Sequence, residues 1–274
     1  MIDVNRKIEI MGIVNLTDDS YFADSRCGDV ASAVQRVRQL LAEGADIIDV
    51  GACSTRPGSK PVGADKEWER LEPFLKEVVA EIPSIRLSID TYWASVVRKA
   101  HALIGKFIVN DISAGEMDEQ MLPTVGELGL PYVAMHMRGD SQSMQELTDY
   151  ESVVDEVLEY FEEFSEKAAR CGVQRWILDP GFGFAKTIDQ NYQLLHALEK
   201  FQNVRCADGS APEILIGVSR KSMIYKKFNI SPAESLPATQ VLHVKALLSG
   251  AGILRVHDVA ETVRTVSLYR TLFS

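Results

Sequence analysis

Short runs of apolar residues alternate along the chain with longer segments in which apolar positions recur every three or four residues. The longer pattern is typical of amphipathic helices, and the short runs are typical of strands covered on both faces. The predicted strands are 8–15, 46–51, 86–90, 107–110, 131–136, 176–180, 213–218 and 253–256. The predicted helices are 29–43, 65–81, 92–104, 118–128, 149–171, 188–200, 237–249 and 258–272.

Residue types at the predicted helix ends support these boundaries. Thr148 with Glu151, and Thr187 with Gln190, have the spacing of a capping box at a helix start. Glycine is common just past the last turn of a helix, because it adopts a left-handed conformation without strain. The glycines at predicted helix ends are Gly44, Gly129, Gly172 and Gly250.

Eight strand–helix units predict a single α/β domain over residues 1–274, folded as one (β/α)8 TIM barrel, which typically takes about 250 residues. An open, doubly wound sheet is the alternative. That fold usually has fewer strands and a glycine-rich turn after its first strand, which is absent here. In both folds ligands bind at the carboxyl ends of the strands, where the longest predicted loops also lie, at 16–28, 52–64 and 138–148.

Every predicted strand delivers a polar or charged side chain to that edge of the sheet. Basic clusters end the last two strands, at Ser219-Arg220-Lys221-Ser222 and at Arg255-Val256-His257, which predicts an anionic substrate. Other polar residues at strand ends are Asn15, Asp90, Asn110, His136 and Asp179. Single Asp and Asn residues there could be helix N-caps, and a single lysine could be solvated. Their concentration at one edge favours a ligand site.

Composition narrows the possible partners. The formal net charge of −10 argues against a nucleic-acid binder held by phosphate contacts. The four cysteines show no CxxC spacing, which predicts free thiols in a reducing compartment. The sequence shows no signal peptide and no apolar run near the ~20 residues that span a bilayer. We therefore expect a cytoplasmic protein with small-molecule substrates and without nucleic-acid or membrane partners.

Eight motifs resemble those of the dihydropteroate synthases, the pterin-binding barrel enzymes of folate biosynthesis, in order and over nearly the whole chain. They are IMGIVNLTDDS (10–20), GADIIDVGACSTRPG (44–58), SIDT (88–91), NDIS (110–113), MHMRG (135–139), ILDPGFGFAKT (177–187), GVSRKS (217–222) and LRVHDV (254–259). The resemblance implies a Mg²⁺-dependent transferase of tetrahydrofolate biosynthesis. Its reaction joins 6-hydroxymethyl-7,8-dihydropterin diphosphate to 4-aminobenzoate and releases diphosphate. The resemblance also implies a homodimer joined by barrel helices away from the ligand face.

The resemblance assigns roles to particular residues. The implied pterin contacts are Asp90, Asn110, Met135, Asp179, Phe184, Gly217 and Lys221. The implied diphosphate contacts are Asn15, Thr55, Arg56, Arg255 and His257, and Asn15 is also the implied metal ligand. The implied 4-aminobenzoate contacts are Pro57, Phe184 and Ser222. The implied catalytic residues are Lys221, Arg255, His257 and Asp90. The amine of the substrate is itself the nucleophile, so the protein would supply orientation and charge stabilisation.

Some positions depart from the usual family pattern. Asp18 stands where proline is common, and Cys53 stands where glutamate is common. The first loop also leaves two choices open. Tyr21 or Phe22 would supply its aromatic contact, and Asp19 or Asp24 would supply its acid.

Three alternative functions compete with this one. A pterin-dependent methyltransferase could keep Asp90, Asn110 and Asp179, but it would not need Lys221 or a diphosphate-binding Arg255. A non-catalytic homologue would bind pterin or a partner enzyme without turnover. A generic phosphate-handling barrel would leave the pairing of Asp179 with Asn110 unexplained.

Overall fold

Eight parallel strands form a closed barrel in the computed structural model, which describes residues 6–16, 29–53 and 62–273. The strands are β1 Glu9–Asn15, β2 Ile47–Gly51, β3 Leu87–Asp90, β4 Ile108–Asp111, β5 Tyr132–Met135, β6 Ile177–Asp179, β7 Glu213–Ile216 and β8 Ile253–Val256. Each strand pairs with the next one along the chain, and β8 pairs with β1. That last pairing excludes an open sheet, so the predicted TIM barrel is confirmed.

Nine α-helices surround the barrel in the part of the chain that the structure describes. They are α1 Val30–Glu43, α2 Ala64–Glu81, α3 Ala94–Ile104, α4 Met121–Leu128, α5 Val153–Arg170, α6 Ile188–His196, α7 Ser222–Phe228, α8 Leu236–Leu248 and α9 Val259–Phe273. Eight of them match predicted helices. The additional helix is α7, which begins directly after the predicted site residue Lys221. Short 3-10 turns cover Leu198–Asn203 and Ala233–Ser235.

The helix-end signals are confirmed in most cases. Thr187 and Gln190 form the predicted capping box at the start of α6. The box predicted for Thr148 and Glu151 is wrong, because the side chain of Ser152 accepts a backbone hydrogen bond at the start of α5 and caps that helix instead. The four helix-ending glycines all have positive φ: Gly44, Gly129, Gly172 and Gly250.

Two of the three apolar clusters in the described residues build the barrel itself. The larger lies between the strands and the surrounding helices. The smaller takes one residue from each of several strands and therefore lies inside the barrel, towards the amino ends of the strands. We call this smaller cluster the barrel floor, and it consists of Met11, Ile47, Ile108, Val133, Leu215 and Ile253, with Ile177 against it. The floor fills the barrel interior towards the amino ends of the strands.

Two findings bear on the compositional predictions. Cys53, Cys171 and Cys206 are free thiols, as the sequence predicts, whereas Cys27 lies outside the described residues. Within the described ranges, no helix combines the length and the hydrophobicity that a membrane span requires.

Candidate active site

The candidate site is the layer of barrel-interior residues directly above the barrel floor. Side chains alternate between the two faces of a strand, so the residue two positions after a floor residue also points into the barrel. In β2 that residue is Asp49, and in β8 it is Arg255. The corresponding residues of the strands between them are Asp90, Asn110, Met135, Asp179 and Gly217. A polar layer therefore rests on an apolar one, and all of its members except Asp49 are predicted site residues.

Asp49 is the residue that the sequence analysis missed, and it lies at the centre of the polar layer. Its carboxylate is fully buried and accepts a hydrogen bond from Arg255 Nε at 2.7 Å. It also accepts from Asn110 Nδ2, at 3.2 and 3.3 Å from its two oxygens. Arg255 Nη2 continues to Asp90 Oδ2 at 3.0 Å. One buried carboxylate thus fixes both Asn110 and Arg255, and Arg255 is held between two carboxylates.

Burial dominates the ionisation of this layer. It raises the pKa of Asp90 above its ordinary value, and the Arg255 guanidinium opposes that rise. Burial likewise raises the pKa of Asp179, with Lys221 opposing it. Burial lowers the pKa of Lys221 to about 8, although the Asp179 carboxylate works in the other direction. Charged groups in such a desolvated site interact more strongly with one another, and with a polar ligand, than they would in water.

We call the space beside Gly217, between Asp179 and Lys221, the slot. Gly217 lies at its base, and a Cβ built there would lie 4.0 Å from both Asp179 Oδ2 and Lys221 Nζ. Lys221 Nζ donates to the carbonyl of Phe182 at 2.5 Å and lies 4.7 Å from the centre of the Phe184 ring. The absence of a side chain at Gly217 therefore leaves space between an acceptor and a donor.

An apolar wall borders the polar layer. Met135 is buried in a cluster with Cys53, Tyr92, Ile112, Met137, Met144 and Ala185, and Phe184 packs against that cluster. Cys53 Sγ lies 3.6 Å from the Tyr92 hydroxyl, and burial raises the pKa of its thiol. The cysteine that replaces the usual glutamate is thus a member of this apolar cluster.

Two charged residues at strand ends have structural roles. Arg220 donates from Nε and Nη2 to the two carboxylate oxygens of Asp258, both at 2.8 Å, and from Nη1 to the carbonyls of Pro232 and Ala233. Asp111 accepts from the backbone N–H of Ser113 and so closes the turn after β4. The basic cluster around Arg220 is therefore divided: Arg220 joins two loops, and the neighbouring Lys221 faces the site.

His257 lies at the cationic side of the site. Its backbone N–H donates to Ser219 Oγ at 3.3 Å, and its carbonyl accepts from Arg36 Nη2 at 3.1 Å. Burial, together with the positive charges of the nearby Arg255 and Arg220, lowers the pKa of the imidazole to about 3. A neutral imidazole surrounded by cations suits the binding of an anion, which would screen those cations.

Asn15 and Asp90 flank Gly51 at the top of the barrel. Asn15 Oδ1 and Asp90 Oδ2 both lie 3.7 Å from the position that a Cβ of Gly51 would take. Ser222 is the first residue of α7, directly after Lys221. No group of three or more His, Cys, Asp or Glu side chains that could hold a metal ion occurs in residues 6–16, 29–53 and 62–273.

Several predicted contacts lie outside the described residues. They are Thr55, Arg56 and Pro57 of the second loop, and Asp19, Tyr21, Phe22 and Asp24 of the first. Their roles stay predictions, as does the choice between the two aromatic residues and between the two acids of the first loop.

Comparison with known proteins agrees with this geometry. Residues 11–257 match the model of a family described as pterin binding enzyme. The match covers most of the chain, and the chain therefore belongs to that family. Dihydropteroate synthase of Escherichia coli (strain K12) is 37% identical over 267 residues, which cover 97% of this chain and 92% of that protein.

Solved structures extend the comparison to the fold. The Yersinia pestis dihydropteroate synthase in a sulfonamide drug complex has a TM-score of 0.90 and 32% identity, covering 99% of this chain and 96% of that one. The Burkholderia cenocepacia dihydropteroate synthase complexed with 7,8-dihydropteroate has a TM-score of 0.86 and 36% identity, covering 97% and 91%. Within its family the chain thus groups with the dihydropteroate synthases, which are transferases of folate synthesis, and the resemblance is confirmed.

Proposed function

We propose that this cytoplasmic protein condenses 6-hydroxymethyl-7,8-dihydropterin diphosphate with 4-aminobenzoate, giving 7,8-dihydropteroate and diphosphate. A C–N bond forms between the amine nitrogen and the exocyclic methylene carbon of the pterin. The C–O bond to diphosphate breaks with its electron pair, and the amine proton passes to solvent. The observation that carries the proposal is the slot above Gly217, with the Asp179 carboxylate on one side and the Lys221 ammonium on the other.

The slot suits the hydrogen-bonding edge of a pterin. One part of that edge presents a ring N–H next to an exocyclic amino group, and a single carboxylate such as Asp179 accepts from both. The ring carbonyl and ring nitrogens accept, which suits Lys221. Asn110 can donate and accept, and Asp49 holds it in place. Met135 and Phe184 would contact the ring faces, and Asp90 would be a further contact beside Asn110.

The diphosphate would bind on the side of Arg255 and His257. Two carboxylates hold Arg255 through Nε and Nη2, and a guanidinium has five N–H donors, so donors remain for an anion. The helix α9 begins two residues after His257, and its amino-terminal end adds positive potential. These groups stabilise the charge that develops on the leaving diphosphate, which is where an alkyl transfer of this kind needs catalysis. Thr55 and Arg56 would join them from the second loop.

Mg²⁺ belongs to the proposal, and the residues fit it in a particular way. Asn15 offers one carboxamide oxygen near Asp90, and the described residues hold no cage of three acidic, histidine or cysteine ligands. Such a sparse donor set fits an ion that keeps several waters and takes further oxygens from substrate phosphates. When bound, Mg²⁺ would neutralise charge on the diphosphate, and Asn15 would hold it.

The 4-aminobenzoate would lie beyond the pterin, towards α7. Ser222 at the start of that helix would donate to the carboxylate, while Phe184 and Pro57 would contact the benzene ring. The position of Phe184 between Lys221 and the apolar wall supports this arrangement, since one ring would then contact both substrates.

The homodimer is also a proposal, and exposed apolar residues on α8 and α9 support it. Val241 is 67% exposed, Leu268 59% and Leu272 66%, and these two helices lie on the outside of the barrel. Because single exposed apolar side chains are common, the support comes from their occurrence on adjacent helices. Sedimentation of the wild type and of Val241→Asp would test it, and a monomeric wild type would contradict it.

The reaction itself is tested by mixing the protein with pterin diphosphate, 4-aminobenzoate and Mg²⁺. We expect dihydropteroate by mass spectrometry from the wild type and none from Asp179→Ala. Calorimetry with a pterin separates the alternatives. Pterin binding without turnover would indicate a non-catalytic homologue. Turnover only when a methyl donor replaces 4-aminobenzoate would indicate a methyltransferase.

A further inference from the structure

The loop after β6 has an unusual backbone. Gly181, Gly183 and Ala185 all have positive φ, at 72°, 84° and 50°, so every second residue is in the left-handed region. Two of them are glycines, but Ala185 carries a Cβ, which makes this conformation unfavourable for an alanine. Such a conformation persists only where surrounding contacts fix it.

The side chain of Lys186 provides those contacts. It is 4% exposed, and its Nζ donates to the carbonyls of Phe184 at 3.0 Å, Gly181 at 3.1 Å and His136 at 3.4 Å. Nζ also lies 2.9 Å from His136 Nδ1. A Cβ at Gly181 would lie 1.9 Å from the His136 carbonyl, so only glycine lets the loop approach β5 this closely. Lys186 thus donates to carbonyls near the start and near the end of the loop, those of Gly181 and Phe184.

This buried ammonium has no carboxylate within ion-pair distance among the described residues, so carbonyl dipoles and the His136 ring hold it. Burial lowers the pKa of Lys186 well below its ordinary value, and the charge of Asp179 opposes that shift. Burying an ammonium group costs free energy unless its donors are satisfied, and here acceptors of the loop and of His136 satisfy them.

The same loop contacts Lys221 in three places. The Phe182 carbonyl accepts from Lys221 Nζ at 2.5 Å, and the Phe184 ring lies 4.7 Å from it. A Cβ at Gly183 would lie 3.5 Å from Lys221 Cδ, so the backbone of the loop also packs on the lysine stem. Any change in the path of this loop would therefore move Lys221 or Phe184.

We propose that Lys186 is a positioning residue of the pterin site. It fixes the loop over residues 181–185 and, through that loop, sets where Lys221 Nζ and the Phe184 ring meet the ligand. It does not touch the ligand itself. This inference rests on the proposed function, because it assumes that Lys221 binds a pterin.

The test is a double-mutant cycle read as affinity for 6-hydroxymethylpterin, which fills the pterin part of the site alone. Lys186→Met keeps the stem and removes the ammonium. In the wild-type background Lys221→Met should weaken binding by about 10-fold or more, the usual effect of losing a charge-assisted hydrogen bond. In the Lys186→Met background the same change should cost less than about threefold, because residues that act through one another are not additive.

Two controls make the cycle specific. Lys226→Met removes an exposed lysine of α7 and should leave affinity unchanged. The cycle of Lys186→Met with Asn110→Ala, which removes a residue held by Asp49 rather than by the loop, should be additive. If Lys186 only stabilises the fold, Lys186→Met should lower the unfolding temperature. The loss of pterin affinity caused by Lys221→Met should then stay the same.

The outcomes separate the two proposals. If the wild type and Lys226→Met do not bind the pterin, the proposed function is wrong. If they bind it and the Lys186–Lys221 cycle is additive, the positioning role is wrong. Should Lys186→Met fail to fold, Lys186→Gln, which retains two N–H donors, goes through the same cycle. Failure of both variants to fold, with Lys226→Met normal, would show a structural lysine and overturn the inference.

Discussion

Replacing Asp49 with asparagine is the sharpest test of the polar layer, because it keeps the shape of the side chain and removes its charge. In the described part of the chain, the Asp49 carboxylate accepts hydrogen bonds from the side chains of Arg255 and Asn110. An asparagine there must point its NH₂ group at one of those donors. The substitution therefore loses an ion pair and also creates an unfavourable donor–donor contact.

The expected loss of stability depends on the contacts that Arg255 keeps in the Asp49→Asn protein. Removing one partner of a buried ion pair usually costs about 3–5 kcal/mol. Arg255 keeps its contact with Asp90 at 3.0 Å, and the repulsion between Asp49 and Asp90 is relieved. We therefore expect a cost somewhat below that range, about 2–4 kcal/mol. For a chain of this size, each kcal/mol shifts the unfolding temperature by roughly 2–4 °C, so the expected loss is roughly 5–15 °C.

Thermal unfolding followed by circular dichroism measures this change, and calorimetry with inorganic diphosphate and Mg²⁺ measures the effect on Arg255. Affinity for diphosphate should fall by about tenfold, because Arg255 loses one of its two anchors. Asp118→Asn is the matched control, since among the described residues that carboxylate accepts only from the backbone N–H groups of Ala94 and Gln120 and pairs with no cation. An Asp49→Asn protein that unfolds at the wild-type temperature would refute the central role of Asp49.

Three further substitutions test other parts of the site. Because burial lowers the pKa of Lys221 to about 8, its ammonium loses a proton as pH rises through that value. Pterin affinity should therefore fall above pH 8, and a calorimetric pH series on Lys221→Met should lack that decline. Gly217→Val should fill the slot beside Asp179 and reduce pterin affinity by roughly 100-fold with an almost unchanged unfolding temperature; tight binding by that variant would show that the ligand lies elsewhere. Arg220→Met leaves Asp258 buried without its cation and should cost about 3–5 kcal/mol in urea unfolding; wild-type stability would show that the ion pair is dispensable.

The strand ends made much of the site predictable. Parallel strands bring their carboxyl ends together, so Asp90, Asn110, Asp179 and Arg255 could be grouped without a structure. The strands were predicted correctly for another reason. Short apolar runs that alternate with amphipathic helices are compatible with few folds. The additional helix α7 could not be recognised, because a seven-residue helix directly after a basic cluster has too few turns to show a period.

Asp49 and Lys186 could not be assigned for a different reason. Asp49 lies within an apolar strand and not at its end, so its place depends on which strand residues face the barrel interior. One signal was available: Ile47, Ile108 and Ile253 are each followed two positions later by a polar residue. Lys186 depends on long-range contacts, since its partner His136 is fifty positions away in the sequence. The pairing of β5 with β6 brings Lys186 and His136 together.

The ion pair between Arg220 and Asp258 has a consequence for how the two halves of the site behave. Each partner is the chain neighbour of a proposed ligand contact, Lys221 in one case and His257 in the other. The loops after β7 and β8 are thus joined and are expected to fluctuate together. The entropy lost in ordering them is lost when the protein folds, and little remains to be lost when substrate binds. Cutting this link should therefore appear first as a larger unfavourable entropy of pterin binding.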